Sequence, residues 1–415
     1  MIQIYRILIN LLFLLSPIVF LIRILKKKEH PVRYKEKFGV FSERRKKGKL
    51  IWFHGSSVGE LLSVIPLIER LERRKDITQI LITSNTFSSS KVITKLNLKK
   101  TIHQFFPIDA KFLIDRFINY WKPHTVFFIE SEIWPNSIKV IKENNIPLIL
   151  INARITANTY RNWKKIDKFA RSIFEKFDLC LSQNNETSKF LKNLGSNKVL
   201  NIGNLKYSKY KTKEIGKLRG KTYNFFKKKN MFGSFSTHLG EERFISEIHI
   251  ELKKRISNLL TIIVPRHVDR SKEIMQDLKK LKLKVHIHSS NKIISNNTDI
   301  YLVDTFGETE KFMKKCPIVF LGGSIIKHGG QNPLEAARSG CKIIHGNNVY
   351  NFTEVYNLLK KNKISQVIKD KSQAVKIITK NIGKKGISKR NIIKLNLIGK
   401  KILDNNIKVI DKYIA

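Results

Sequence analysis

The sequence predicts an α/β protein built as two successive halves, each a parallel sheet covered by helices. Two patterns carry this prediction. From residue 49, KLIWFH reads as a strand, and GELLSVIPLIERLERR has the three- and four-residue apolar spacing of a helix. ILITS, TVFFIE, PLILIN and LCLSQ follow as further strands, separated by helical stretches such as FLIDRFINYW and FARSIFEKF. Repeated βα units of this kind imply parallel strands buried on both faces. The pattern lapses over residues 204–222 (NLKYSKYKTKEIGKLRGKT), which is polar and Lys-rich. It then restarts with NMFGSFST, LLTIIVPRH, DIYLVDT, PIVFLGGS and KIIHG, again interleaved with helical segments.

At 415 residues the chain has room for about two domains of ordinary size. The expected organisation is an anchor over 1–30, a first α/β domain over 31–204 and a connector over 205–222. A second α/β domain over 223–390 and a terminal helix over 391–415, packing back onto the first half, complete it. No repeat with a fixed period of 20–50 residues is evident. Two doubly wound domains are expected to face a central cleft lined by the carboxyl ends of their strands.

Charge is the most unusual feature of the composition. Lys and Arg number 80 against 33 Asp and Glu, a formal net charge of +47. Nucleic-acid binding is the first class such a balance suggests. The basic residues are nevertheless spread over the whole length, with no recognised nucleic-acid motif, and Lys, Ile and Asn are all abundant. Codon bias in an AT-rich genome accounts for that, leaving attraction to anionic surfaces as a consequence. Cys180, Cys316 and Cys341 are far apart and form no C-x-x-C pair, which argues against a disulfide framework or zinc site.

The amino terminus reads differently. Ile7 to Ile22 is uncharged and mostly apolar, is bracketed by Arg6 and Arg23, and runs into Lys26, Lys27 and Lys28 without a small-residue cleavage site. It is a little shorter than the ~20 residues that cross a bilayer comfortably. The expectation is an uncleaved membrane anchor, spanning or lying in the interface around Pro17, with the basic flank holding the rest in the cytoplasm. A buried core helix is the alternative.

Candidate chemistry sits just after strands. WFHGSSVGE contains G-x-S-x-G, the elbow of serine hydrolases, and places Glu60 in the first turn of the following helix. His267, His328 and His345 come late enough to complete a triad with Ser57, but no Gly-rich oxyanion segment precedes the elbow. Glu60 is either a general base or a carboxylate favoured by the helix dipole. In TVFFIESEIWPN, strand alternation would set Glu130 and Glu132 on one side, with helix capping as the plainer alternative. GSFSTHLGEER puts Ser236, Thr237 and His238 at a strand-to-helix junction suited to phosphate, and VPRHVDR adds Arg266 and His267. In VFLGGSIIKHGGQNPLEAARSG, Gly322, Gly323, Gly329 and Gly330 allow backbone to approach an anion. Pro333 and Glu335 open the next helix, where a carboxylate suits ribose hydroxyls.

HGSSVGE, ESEIWPN, INARIT, GNLKYS, STHLGEE, VPRH, DTFGE and FLGGS…GGQNPLEAA occur in the order found in 3-deoxy-D-manno-octulosonic acid (Kdo) transferases. The chain resembles that family from the amino-terminal segment to about residue 380. The resemblance implies a GT-B glycosyltransferase of two Rossmann-like domains on the cytoplasmic face of a bacterial inner membrane. It implies inverting transfer of Kdo from CMP-Kdo to the lipid A precursor (lipid IVA), with no metal or other cofactor for the transfer. By position, Glu60 matches the proposed base and Glu132 falls in the second acidic motif. Arg266, Asn332 and Glu335 match CMP-binding segments, and His267, Gly322, Gly323, Gly330, Ser236 and Lys206 are further nucleotide-binding candidates. Lys26–Lys28, Arg33, Lys35 and Arg44–Lys47 suit the phosphates of a lipid acceptor and an anionic membrane.

Two departures stand out. The family usually carries His where this chain has Gln331, and hydrophobic residues at Thr309 and Glu310. Glutamine keeps a hydrogen bond but cannot titrate. The rival readings are a GT-B enzyme with another nucleotide sugar, a serine hydrolase on the Ser57 elbow, and a non-catalytic membrane-binding protein.

Overall fold

The computed structural model describes residues 1–96, 98–208, 218, 220–384 and 386–414. Most of the 205–222 connector therefore lies outside the described residues. The chain divides into two compact units, Met1–Lys211 with Asn396–Ala415, and Thr212–Leu395.

The first unit holds seven parallel strands: β1 (Lys49–His54), β2 (Ile77–Ser84), β3 (Thr101–Phe105), β4 (Thr125–Ile129), β5 (Leu148–Ala153), β6 (Leu179–Ser182) and β7 (Val199–Asn201). Their order across the sheet is β3-β2-β1-β4-β5-β6-β7. Strand periodicity splits each apolar run between the two faces. Leu50 and Trp52 join a core with Trp121, Phe128 and Phe174. Ile51 and Phe53 join the opposite core with Val64, Ile82 and Phe127. Both faces are dry, so LIWF needs no polar side.

The second unit repeats the scheme with β8 (Asn230–Thr237), β9 (Leu259–Pro265), β10 (Val285–Ile287), β11 (Ile300–Leu302), β12 (Ile318–Leu321), β13 (Lys342–His345) and β14 (Ser365–Val367), in the order β10-β11-β9-β8-β12-β13-β14. Each sheet thus has one point where successive connections leave in opposite directions, between β1 and β4 and between β8 and β12. Ligands of open α/β sheets bind at the carboxyl ends of the strands at such points.

Two long helices frame the first unit. Helix α1 (Ile2–Leu25) is long and apolar enough to cross a membrane and lies against the unit through one stripe of residues. Pro17 cannot donate to the Phe13 carbonyl one turn back, and the Ser16 hydroxyl donates to that carbonyl instead, at 2.6 Å. The helix Lys389–Ile414 sends its last turns into the first unit, where Leu403, Ile410 and Ile414 are core residues. Gly399 is needed in that helix because any Cβ there would overlap the Tyr207 carbonyl oxygen.

In the second unit the decisive polar residue is Glu241, at the start of the helix Glu241–Lys253. Its buried carboxylate accepts the backbone N–H groups of His238, Gly323, Ser324 and Ile325 at 2.8–3.2 Å. This ties the end of β8 to the end of β12. Gly322 stands where a Cβ would meet the Ser236 carbonyl, so its role is close packing of two strand ends.

Glu241→Gln turns an amide toward donors and is expected to cost about 2–4 kcal/mol. All four tryptophans lie in the first unit. In urea, the tryptophan-fluorescence midpoint of the variant should therefore stay near wild type, while a circular-dichroism transition appears at lower urea.

Candidate active site

Helix α2 (Val58–Leu71) begins at the carboxyl end of β1 with a capping box. Ser57 Oγ accepts the Glu60 N–H at 3.3 Å and donates to Glu60 Oε1 at 2.8 Å. Glu60 Oε2 in turn accepts the Ser56 N–H at 2.7 Å and the Ser57 N–H at 3.4 Å. The carboxyl is thus a helix cap as well as a candidate base. Burial pushes it up to about 7, with the neighbouring Glu132 charge adding to the shift and the bonds from Ser57 and Ser56 opposing it.

The strand before Glu130 ends sooner than sequence alternation suggests. β4 stops at Ile129, and Glu130 turns into the left-handed region at φ 57°. Glu130 and Glu132 therefore do not share a strand face, and they have different partners. Glu130 forms an ion pair with Lys206 at 2.6 Å. Glu132 Oε2 accepts Ser56 Oγ at 2.7 Å, Trp134 Nε1 at 2.7 Å and His54 Nε2 at 3.1 Å. Burial alone would raise this carboxyl, but the bonds and charge interaction with His54 and the bonds from Ser56 and Trp134 hold it below its ordinary value.

His54 is fixed by what it touches. Nε2 faces a carboxylate, which only accepts, so Nε2 carries a proton. Nδ1 lies 2.9 Å from Thr83 Oγ1, which itself accepts Trp52 Nε1–H at 2.8 Å. Phe106 stacks on the imidazole at 3.8 Å between ring centres. A buried chain from Trp52 through Thr83 and His54 therefore ends on Glu132, and Ser56 joins Glu132 to Glu60. Asn85 Nδ2 donates to Ser56 Oγ at 2.7 Å and completes it. His54, Thr83 and Asn85 escape a motif reading because no short spacing links them; β1 and β2 bring them together.

Ser57 spends its hydroxyl on Glu60 and has no hydrogen bond to a histidine among the described residues. The three triad histidines all belong to the second unit. A groove of about 600 Å³ beside Arg70, Arg74, Ile407, Asp411 and Lys412 is at the far end of α2 from these carboxylates.

In the second unit, the end of β8 gathers cationic and imidazole groups. Ser236 is left-handed at φ 54°. His238, buried, lies with its ring centre 4.0 Å from that of His328, tilted, and 6.1 Å from that of His267, edge-on, and its Nε2 is 3.2 Å from Gln331 Nε2. Burial lowers His238 to about 4, and His328, His267, Arg266 and Arg270 each push the same way. Glu242 is already paired with Arg270 at 3.0 Å, and Glu241 is spent on backbone. Arg266 and His267 are exposed. An anion placed here would relieve that field.

The expectation that Gly322 and Gly323 offer backbone to an incoming anion fails for the Gly323 amide, which meets the protein's own Glu241. The Gly330 amide donates to the Gly323 carbonyl at 2.7 Å. Asn332 Oδ1 accepts the Leu334 N–H at 3.1 Å, and Glu335 lies in a helix of five residues, Leu334–Arg338. Loss of solvation raises the Glu335 carboxyl, with the Glu310 charge adding to the shift and Arg338 opposing it. Lys206 belongs to the first unit and the other nucleotide candidates to the second.

Two parallel α/β units with polar groups at both switch points define a GT-B-like fold. The crystal structure of UDP-GlcNAc 2-epimerase from Neisseria meningitidis bound to UDP-GlcNAc has a TM-score of 0.55 over 87% of this chain and 100% of that one, at 14% identity. Residues 32–209 match the family model described as 3-Deoxy-D-manno-octulosonic-acid transferase (kdotransferase). A 3-deoxy-D-manno-octulosonic acid transferase of Rickettsia bellii is 31% identical over 97% of this chain and 96% of its own length. That of Haemophilus influenzae is 32% identical over 74% and 73%. The chain belongs to the Kdo transferase family, and it is a glycosyltransferase.

The Ser57 geometry predicts that a fluorophosphonate probe leaves the serine unlabelled. Ser57→Ala should cost about 1 kcal/mol of stability through the lost cap, read as a lower urea midpoint by tryptophan fluorescence.

Proposed function

We propose that the protein transfers Kdo from CMP-Kdo to the lipid A precursor, lipid IVA, with inversion, and that Glu60 is the general base. Membership of the Kdo transferase family supports the sugar and its donor, and one observation carries the base: Glu60, at the carboxyl end of β1 and linked through Ser56 to Glu132, has a carboxyl raised to about 7 beside a Glu132 carboxyl held low. A base is most useful when its proton affinity lies near the working pH. Glu60 takes the proton of an acceptor-sugar hydroxyl, whose oxygen attacks the anomeric carbon of Kdo. The bond to CMP breaks, and its electron pair leaves with the phosphate. Glu132 keeps its charge and sustains the basicity of Glu60, while His54, Ser56 and Trp134 hold it in place.

The donor reading places CMP on the second unit. Arg266 and His267, with Ser236, take the phosphate, and Asn332 and Glu335, with Gly322, Gly323 and Gly330 shaping the loop, take the nucleoside. Fixed positive groups stabilise the charge that develops on the leaving phosphate. Gln331 replaces a titratable histidine with an amide beside His238, so no proton passes through that position. Lys206 holds Glu130 by charge. This reading assigns no metal to the transfer. A lipid acceptor is consistent with α1 as a membrane attachment at the cytoplasmic face of a bacterial inner membrane, with Lys26–Lys28 toward anionic lipid.

Mass spectrometry of lipid IVA incubated with the protein and CMP-Kdo generated in situ should show added Kdo. Glu60→Gln preserves the capping box, because Gln also serves at that position. It should fold and lose roughly 10²–10⁴ in rate. Transfer at the wild-type rate by a folded Glu60→Gln protein would move the base elsewhere.

A further inference from the structure

Helix α1 is apolar enough to span a bilayer, but its contacts run along its whole length. Near its start, Tyr5 OH donates to Asp109 Oδ2 at 2.8 Å and Arg6 Nε to Asn136 Oδ1 at 3.1 Å. Midway, Phe13 packs against Phe112 and Phe38, at 5.2 and 5.7 Å between ring centres, and Ser16 is buried. Further on, Phe20 meets Phe38 at 5.4 Å, with the Lys37 ammonium 5.0 Å from its ring. Arg23 closes the series on Glu29 at 3.2 Å. Tyr5 and Arg23 are about 27 Å apart along the helix axis.

These anchors are part of the fold. Asp109 is fully desolvated and also accepts the Asn136 and Ser137 N–H groups at the start of the helix Pro135–Glu143. Glu29 is buried and shared between Arg23 and Lys37. A perpendicular α1 would either break every one of these contacts or carry Asp109, Asn136 and Glu29 into a hydrocarbon core about 30 Å thick.

The other side of the helix is apolar and open. Leu8, Leu11, Leu15, Ile18 and Ile22 are each about half exposed, between 47 and 62%. Phe112, which touches Phe13, extends the patch at 52%. Lys26, Lys27, Lys28 and Lys35 stand exposed just beyond its end. An apolar face beside a lysine cluster matches the boundary between acyl chains and anionic headgroups.

We infer that α1 does not span the membrane: it stays docked on the first unit and lies in the plane of one leaflet of an anionic bilayer, apolar face down. This rests on the membrane location proposed above, but not on which sugar is transferred. Both ends of the helix then remain on the side that holds the enzyme.

The test uses the full chain in bacterial membranes. Cys180, Cys316 and Cys341 are buried, so a membrane-impermeant maleimide reads introduced cysteines. Gln3→Cys and Lys27→Cys, made separately, should both be labelled in sealed inverted vesicles before detergent is added. Labelling of Gln3→Cys only from the opposite face, or only after detergent, would overturn the in-plane placement. A flotation assay with purified protein and phosphatidylglycerol-rich vesicles reads attachment separately. Wild type should float, and Leu11→Asp/Leu15→Asp, with both changes on the exposed face, should stay at the bottom with an unaltered melting temperature. A wild-type protein that fails to float would contradict membrane attachment itself. Kdo transfer, measured on the same preparation, fails or succeeds independently of both readouts.

Discussion

Three donors converge on the Glu132 carboxylate, and much of the first unit's polar architecture is arranged so that they can. His54 comes from β1, Ser56 from the turn after it, and Trp134 from the loop after β4. Two neighbouring parallel strands are required to bring them within reach, and the sheet places β1 beside β4. A carboxylate with that many donors keeps its charge despite burial. Glu60, joined to it through Ser56, also has donors in Ser57 and the Ser56 backbone, but burial and the neighbouring Glu132 charge outweigh them and push it up to about 7. Two carboxyls of one type thus acquire different proton affinities from their surroundings.

The second unit uses a carboxylate at the equivalent place for a different end. Glu241 joins the ends of β8 and β12 by accepting four backbone N–H groups, and so consumes donors that would otherwise suit an anion. What is left at the mouth of that sheet is the Arg266 guanidinium and the imidazoles of His267, His328 and His238, the last lowered by burial and by its neighbours. The first unit therefore presents acids and the second presents bases and imidazoles, on one architectural plan.

Much of this was legible in the sequence, for physical reasons. Strands buried on both faces leave unbroken apolar runs, so KLIWFH and LLTIIVP were readable as strands without further context. Glu60 was readable because it falls in the first turn of a helix that directly follows a strand, where a carboxylate suits the helix dipole. The pairing of Glu130 with Lys206 was not, because 76 residues separate them and only the tertiary fold joins them. Nor was the early end of β4, since an isolated left-handed glutamate leaves no mark on an apolar pattern. Gly322 and Gly323 misled for a related reason: a glycine pair signals close approach, but not whether the approaching group is a ligand or another strand.

The central claim is that an ionised Glu132 helps keep the Glu60 proton affinity near neutrality, and the pH dependence of kcat/KM tests it most directly. A base must be deprotonated to act, so the wild-type rate should fall as pH drops through about 7. In Glu132→Gln the neighbouring charge is gone, and the acid limb should move to lower pH while staying above the ordinary carboxylate range, because burial remains the larger cause. A wild-type limb near 4.5, or a limb that does not move in Glu132→Gln, would contradict the account.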